Sequence, residues 1–368
     1  MSLKLFSDAI LGGRTVSNRV IVSPMCQYSA DDGAATDWHL VHLGSRAVGG
    51  AGVVVAEAAA VERRGRITTG DLGLYRDDHV PPLARVASFV ADQGSVPGIQ
   101  LAHAGRKASK RRPWEGHRPL TDEEGRWPIV APTAEPYPYQ DHEAPPTRRL
   151  SADEVEAVVD SFAAAARRAR EAGFQFVEIH AAHGYLLHEF LSPVTNDRTD
   201  RYGGCFEART RLLREVTATV REVWPADSPV GVRISATDWL DDRESWTVAD
   251  SARLAPTLAE AGADLIDVSA GGLHPDQSVL RSTPGYQVPY AETIREHLRE
   301  EDRETAVATV GAITEPTHAA AIVANERADF VALGREHLRS PYWTHDAAVE
   351  LDADSDANWP VQYGWATE

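Results

Sequence analysis

Two patterns of apolar and polar positions alternate along the chain. Short apolar runs, rich in Val, Ile and Ala, recur between Gly, Pro and Ser punctuation. Between them lie longer segments whose apolar residues return at helical spacing. The short runs predict eight strands: 20–24, 52–57, 97–102, 174–180, 229–235, 264–269, 306–310 and 328–333. The longer segments predict helices over 37–49, 80–93, 151–173, 206–223, 246–261, 290–299, 315–324 and from Glu336 onward. Ser151-Ala-Asp-Glu carries a capping-box pattern, and Ala172-Gly173 closes that helix. Strands alternating with helices predict right-handed crossovers and a parallel sheet, closed as a (β/α)8 TIM barrel. An open doubly wound sheet is the alternative fold, but its Gly-x-Gly-x-x-Gly turn after the first strand is missing.

Two segments stand outside the alternation. Residues 109–149 lose periodicity and accumulate Pro, Arg, Trp and Tyr, an irregular excursion after strand three. It either caps a pocket with Trp114, Trp127, Tyr137 and Tyr139 or packs on the rim. The tail, 358–368, carries Trp359, Tyr363 and Trp365 without helical spacing. No composition shift divides the chain, so 1–368 is expected to be one domain.

Composition narrows the function. Among 368 residues, a net charge of −18 repels phosphate backbones and argues against nucleic acid as a partner. No apolar run approaches the ~20 residues of a membrane helix, and Met1-Ser-Leu-Lys lacks a signal-peptide pattern, so a cytoplasmic protein is expected. Two cysteines, Cys26 and Cys205, leave no room for a disulfide framework or a four-cysteine iron–sulfur cluster within this chain. The lysines are only Lys4, Lys107 and Lys110; the other basic residues are arginine. Acid excess with little lysine suits a solvated surface in high salt, or a GC-rich genome. It also singles out Lys107.

In a barrel, chemistry belongs at the carboxyl ends of the strands. Those ends carry Cys26 and Tyr28 (strand one), Glu57 and Ala58 (two), Gln100 with His103, Arg106 and Lys107 (three), His180, His183 and Tyr185 (four), Arg233 (five), Ser269 with Gly271-Gly272 (six), Gly311 (seven) and Gly334-Arg335 (eight). Two imidazoles and a phenol at one strand end can converge on a small acceptor such as a carbonyl oxygen. The same histidines could instead satisfy buried backbone groups, or form half a metal site. Glycines after strands seven and eight admit backbone N–H groups to an anion, and Arg335 can grip phosphate. Gln100 and the Arg233 cation suit a flat heterocycle with carbonyls and ring nitrogens. A heterocycle with one phosphate points to FMN.

Four motifs then resemble one family. Ser23-Pro-Met-Cys-Gln-Tyr-Ser, Gln100-Leu-Ala-His-Ala-Gly-Arg-Lys, His180-Ala-Ala-His-Gly-Tyr-Leu-Leu-His-Glu-Phe-Leu-Ser-Pro and Asn196-Asp-Arg-Thr-Asp-Arg-Tyr-Gly-Gly are similar to the old yellow enzyme family of FMN-dependent ene-reductases, in its cysteine-bearing, thermophilic-like subgroup. The resemblance spans nearly the whole chain. It implies NADPH- or NADH-dependent reduction of alkenes conjugated to a carbonyl or nitro group, with small enones as substrates and a homodimer or homotetramer as the assembly. It implies flavin-ring contacts from Pro24, Met25, Cys26, Ala58, Gln100 and Arg233, with Cys26 tuning the potential. It implies ribityl and phosphate contacts from Ser269, Gly311, Gly334 and Arg335. His180 and His183 are expected to hold the substrate's oxygen, Tyr185 to give the proton, and Tyr28 to line the pocket. No metal is expected. Lys107 matches the motif lysine without an assigned role. The tail departs from the subgroup, because Val361-Gln-Tyr-Gly-Trp-Ala-Thr-Glu holds no arginine to enter a neighbouring subunit. Three other readings keep the barrel: a Schiff-base lyase built on Lys107, a metal-dependent hydrolase built on His180 and His183, and a flavin-storing barrel without turnover.

Overall fold

The structure is a computed structural model that describes residues 3–278, 283–353 and 359–366. Of the tail, Asn358, Thr367 and Glu368 lie outside the described residues. Eight parallel strands close into a barrel in chain order: β1 (Val20–Val22), β2 (Val53–Ala60), β3 (Val96–Ala102), β4 (Phe176–Ala181), β5 (Val230–Ser235), β6 (Leu265–Ser269), β7 (Ala306–Thr309) and β8 (Phe330–Leu333). The expected (β/α)8 architecture is therefore present. Helices α1 (Asp37–Val48), α2 (Val80–Asp92), α3 (Ala152–Glu171), α4 (Arg211–Val223), α5 (Val248–Glu260), α6 (Val288–Glu300), α7 (Pro316–Ala324) and α8 (Trp343–Glu350) form the outer ring. The capping box before α3 forms as its sequence predicts. Ser151 Oγ accepts from the Glu154 N–H at 3.2 Å, and Glu154 Oε2 accepts from the Ser151 N–H at 3.0 Å. Among the described residues, no helix is long and apolar enough to cross a membrane.

The barrel interior is stacked by residue type. Its lower part is apolar: Ile21, Val53, Val55, Val96, Phe176, Leu265, Ala308 and Phe330 pack with Leu11 and Val16. Those last two come from an N-terminal hairpin, Ala9–Leu11 with Arg14–Val16, that plugs the amino-terminal end of the barrel. Its turn must be glycine at Gly12: φ is 51°, and a Cβ there would stand 2.5 Å from Pro229 Cα. Phe176 fills the centre because its neighbours carry no side chain. A Cβ at Gly98 or at Gly231 would each come within 2.7 Å of the Phe176 ring.

Several boundaries differ from the sequence reading. The hairpin was not foreseen, because three-residue strands carry too little periodicity. The helix expected over 206–223 divides into Phe206–Arg209 and α4, and the last helix divides into Arg335–Arg339 and α8. Pro341 sits in the second break, where its missing N–H cannot continue a helix. A buried helix, Leu186–Leu191, follows directly on the histidine motif. The excursion contains a parallel pair, Ile129–Ala131 with Thr147–Arg149. Trp127 holds it to the loop after β2: its Nε1 donates to the Arg64 carbonyl at 3.0 Å, and Arg66 stacks over its ring.

Phe176→Ala should empty the barrel centre. The expected loss is about 3–5 kcal/mol of unfolding free energy in urea titration. A loss below about 1 kcal/mol would mean that Gly98 and Gly231 do not frame a close-packed ring.

Candidate active site

After β4 the chain turns through His183 and Gly184, both left-handed at φ 59° and 70°. Backbone contact explains the turn. A Cβ on Gly184 would lie 2.3 Å from the Gly272 carbonyl oxygen, and a Cβ on Gly272 would lie 2.5 Å from His183 Cα. The loops after β4 and β6 therefore touch main chain to main chain, an approach only glycine allows. The left-handed His183 costs about 1–2 kcal/mol, so other contacts must hold it. Its N–H donates to Ser235 Oγ at 2.9 Å. Lys107 Nζ donates to the His183 carbonyl at 2.8 Å and to the Gly272 carbonyl at 3.0 Å, joining the two loops. Lys107 thus acts as a clamp, a different use of its ammonium from a Schiff-base nucleophile.

The three rings of the motif converge. His180 lies 5.2 Å from His183 and 5.0 Å from Tyr185 between ring centroids, edge to face in both cases. Burial, with the Arg233 cation next in weight, pushes both imidazoles well below their ordinary value, so both are neutral. The His180 Nδ1 accepts from the Ala182 N–H at 3.3 Å, which leaves the proton on Nε2. His183 Nε2 meets Ser269 Oγ at 2.7 Å. If that hydroxyl donates, His183 keeps its proton on Nδ1, and each ring has one N–H to offer. Burial, then Cys26 and Asp71, holds the Tyr185 phenol well above its ordinary value, so its proton stays in place.

Beside Tyr185, Cys26 and Tyr28 pack against Ile67, Ala104, Ala108 and Ile129. Burial, with the Glu57 and Asp71 carboxyls adding, pushes the Cys26 thiol well up. Cys26 is therefore a neutral thiol rather than a thiolate. Ala58 and Tyr185 line the same small cleft. From the excursion, Trp114 meets Tyr28 edge-on at 6.1 Å, and Tyr137 stands 5.6 Å from Lys107 Nζ.

Above the apolar plug the barrel interior turns ionic. Gln100 Nε2 donates to Glu178 Oε1 at 2.7 Å, and Arg233 Nε lies 3.3 Å from Asp267 Oδ2. All four side chains are buried. Burial drives both carboxyls up; the Asp267 charge raises Glu178 further, to about 8, while Arg233 and a hydrogen bond from Glu178 favour the Asp267 charge, so the pair keeps one proton at neutral pH, on Glu178.

Beside this layer opens a cavity of about 510 Å³ between the ends of β1, β6, β7 and β8. Pro24, Met25, Arg233, Ser269, Gly311, Gly334 and Arg335 line it. Gln100, Cys26 and Ala58 do not; they stand beneath or beside it. Its wall has unused polar atoms: Ser23 Oγ and Arg233 Nε are buried without a hydrogen-bond partner. Around Gly334 there is open space, since a Cβ there would meet nothing nearer than Met25 Sδ at 3.7 Å. Three contributors escaped the sequence reading. Gln287 lines the cavity, donating to the Val310 carbonyl at 2.9 Å, with its Oε1 3.3 Å from Ser269 Oγ. Glu178 and Asp267 support Gln100 and Arg233. The signal for the acids was available, because each interrupts an apolar strand run. Gln287 had none, lying between a loop and a helix.

Comparison with known proteins bears on the family and the fold. The family described as NADH:flavin oxidoreductase / NADH oxidase matches residues 4–354. An NADPH dehydrogenase of Geobacillus sp. (strain WCH70) is 45% identical over 369 residues, covering 99% of this chain and 99% of that protein. Among solved structures, a complex of 2-naphthoyl-CoA reductase superposes with a TM-score of 0.84 at 25% identity, over 97% of this chain. This chain spans about half of that larger protein, 53% of its length. An old yellow enzyme homologue from Zymomonas mobilis gives a TM-score of 0.76 at 25% identity, covering 95% of this chain and 93% of that one.

Lys107→Met should release the clamp between the two loops. Amide hydrogen exchange is expected to accelerate at Gly184 and Gly272, with β4 itself unchanged. Equal exchange in variant and wild type would show that the glycine contact holds His183 without the ammonium.

Proposed function

The chain belongs to the NADH:flavin oxidoreductase / NADH oxidase family, in its old yellow enzyme branch, and from that premise we propose that it reduces the C=C bond of α,β-unsaturated carbonyl or nitro compounds. It is an oxidoreductase with FMN as cofactor and a nicotinamide as hydride donor. The residues present fit that cofactor. The cavity pairs an arginine and glycine-bordered backbone at one end with Arg233 at the other, and Ser23 Oγ stands buried in its wall without a hydrogen-bond partner. Arg335, Gly334 and Gly311 would hold the phosphate, Ser269 the ribityl chain, and Pro24, Met25, Cys26, Ala58, Gln100 and Arg233 the ring system. When bound, FMN would supply the two-electron hydride chemistry between the nicotinamide and the substrate's β-carbon.

The single observation that carries the substrate class is the convergence of His180, His183 and Tyr185. In this reading Ser269 donates to His183 Nε2, so both neutral imidazoles present an N–H to one oxygen and stabilise the negative charge that grows there as the β-carbon accepts hydride. Such a donor is typically worth about 3 kcal/mol of barrier, roughly a hundredfold in rate. Neutral donors suit the task, since they keep their protons while the oxygen charges. Tyr185 gives its proton to the α-carbon from the face opposite the hydride. Its raised pKa is no obstacle, because the enolate carbon is basic and position matters more than acidity. Tyr28 lines the pocket beside the Cys26 thiol. A homodimer or homotetramer belongs to the same reading, supported by the exposed apolar tail residues Val361, Tyr363 and Trp365.

Two measurements test the reading. Anaerobic NADPH should bleach the flavin of the wild type, and a small enone should restore its colour. In Tyr185→Phe the bleaching should persist while enone turnover falls by a hundredfold or more, and His180→Ala should lose about a hundredfold. Unchanged enone turnover in Tyr185→Phe would exclude the phenol as the acid. Separately, Cys26→Ala should shift the flavin midpoint potential, since it replaces a neutral thiol beside the ring. An unshifted potential would remove the tuning role.

A further inference from the structure

Two of the chain's three lysines flank the Tyr137–Tyr139 pair, and the second has no evident purpose there. Lys110 is 6% exposed. Its backbone is fixed, the N–H donating to the Ile67 carbonyl at 2.8 Å and the strand bridging to Thr68 and Pro119. Its Nζ lies 5.3 Å from the centroid of the Tyr139 ring. Among the described residues, no carboxylate comes within ion-pair distance of it. Other buried cations are satisfied: Arg106 meets Glu189, Arg233 meets Asp267, and Arg46 donates to the His337 and His42 carbonyls. Burial alone pushes the Lys110 ammonium down to about 8, with no opposing anion. The cation–ring contact with Tyr139 only partly offsets that desolvation.

The surroundings show where the ammonium stands. Tyr139 packs edge-on against Tyr137 at 4.8 Å, and the Tyr137 ring in turn faces Lys107. Both tyrosines are close enough to Tyr185 to raise its phenol. The Tyr139 hydroxyl is itself buried without a hydrogen-bond partner. An ammonium with no carboxylate partner and a phenolic O–H with no partner therefore share one aromatic cluster, which reaches Tyr185 through Tyr137 and Lys107. Two donors with no acceptor form half of an anion site.

We propose that Lys110 and the Tyr139 hydroxyl form a subsite at the pocket mouth for an anionic group on the molecule lying over the cofactor. That group is a carboxylate on the unsaturated substrate or a phosphate on the nicotinamide donor. The inference rests on the reading of His180, His183 and Tyr185 as the reaction site. It adds that one molecule bound there carries negative charge towards the excursion.

The test compares holoenzyme of wild type, Lys110→Met, Lys110→Arg and Tyr139→Phe, matched for flavin content. Steady-state constants are measured with cyclohexenone and with 4-oxopent-2-enoate as acceptors, and with NADPH and NADH as donors. Lys110→Met is expected to raise KM tenfold or more for 4-oxopent-2-enoate alone, if the substrate supplies the anion, or for the dinucleotide, if its phosphate does. The kcat with cyclohexenone should be unchanged, Lys110→Arg should recover most of the affinity, and Tyr139→Phe should raise the same KM by a smaller factor. KM values equal to wild type for both acceptors and both donors would overturn the subsite, and so would an arginine variant no better than methionine. Tyr139→Phe keeps the test decisive if Lys110→Met fails to fold. A wild type that reduces neither acceptor would instead overturn the proposed reaction, a distinguishable failure.

Discussion

One buried ionic layer governs the interior of the barrel. Charges taken from water must be paired and hydrogen-bonded, or they cost several kcal/mol each. Here Gln100 donates to Glu178 and Arg233 pairs with Asp267, all four buried within the ring of strands. Below the layer, the hairpin and Phe176 seal an apolar plug. Above it lie the cavity and the three rings. The guanidinium that would face the cofactor is thus held from beneath by a carboxyl pair, and the pair holds one proton because two buried anions so close cannot both persist. The same Arg233 charge helps to keep His180 and His183 neutral. In the proposed reaction, cofactor placement and substrate hydrogen bonding would share one electrostatic source.

A second constraint fixes the rings. His183 adopts a strained backbone because the loops after β4 and β6 meet at Gly184 and Gly272, and Lys107 closes the contact from outside. Rigidity of this kind is useful at a site whose donors must point at one oxygen before it becomes charged. The strain of one residue is small beside the barrier that two prearranged donors can remove.

Much of this was legible in the sequence. Eight buried strand runs, separated by helices with explicit caps, are strong signals, and the barrel follows from their order. The site was legible where a residue type is costly in its position: imidazoles and a phenol ending a strand, or glycines before an arginine. What escaped was either too short or too local. The hairpin strands have three residues each, and their role is to close the barrel's floor, which no periodicity encodes. Glu178 and Asp267 carried a signal, an acid inside an apolar run, but their meaning depends on a partner across the barrel. Lys107 was conspicuous by rarity, yet its function, binding two carbonyls from different loops, exists only in three dimensions. The excursion read as irregular, and it is; its aromatic residues nonetheless reach Tyr28, Lys107 and Lys110.

In the proposed reaction, one mouth of the barrel delivers hydride and proton to opposite faces of one double bond. Isotope placement tests it most directly. A 2-methyl enone is reduced in deuterated water with unlabelled NADPH, and in ordinary water with the donor deuterated at its transferred position, and both products are read by NMR. The account predicts solvent deuterium at the α-carbon, donor deuterium at the β-carbon, and a trans relation between the two. Both labels on the same face, or solvent deuterium at the β-carbon, would contradict it.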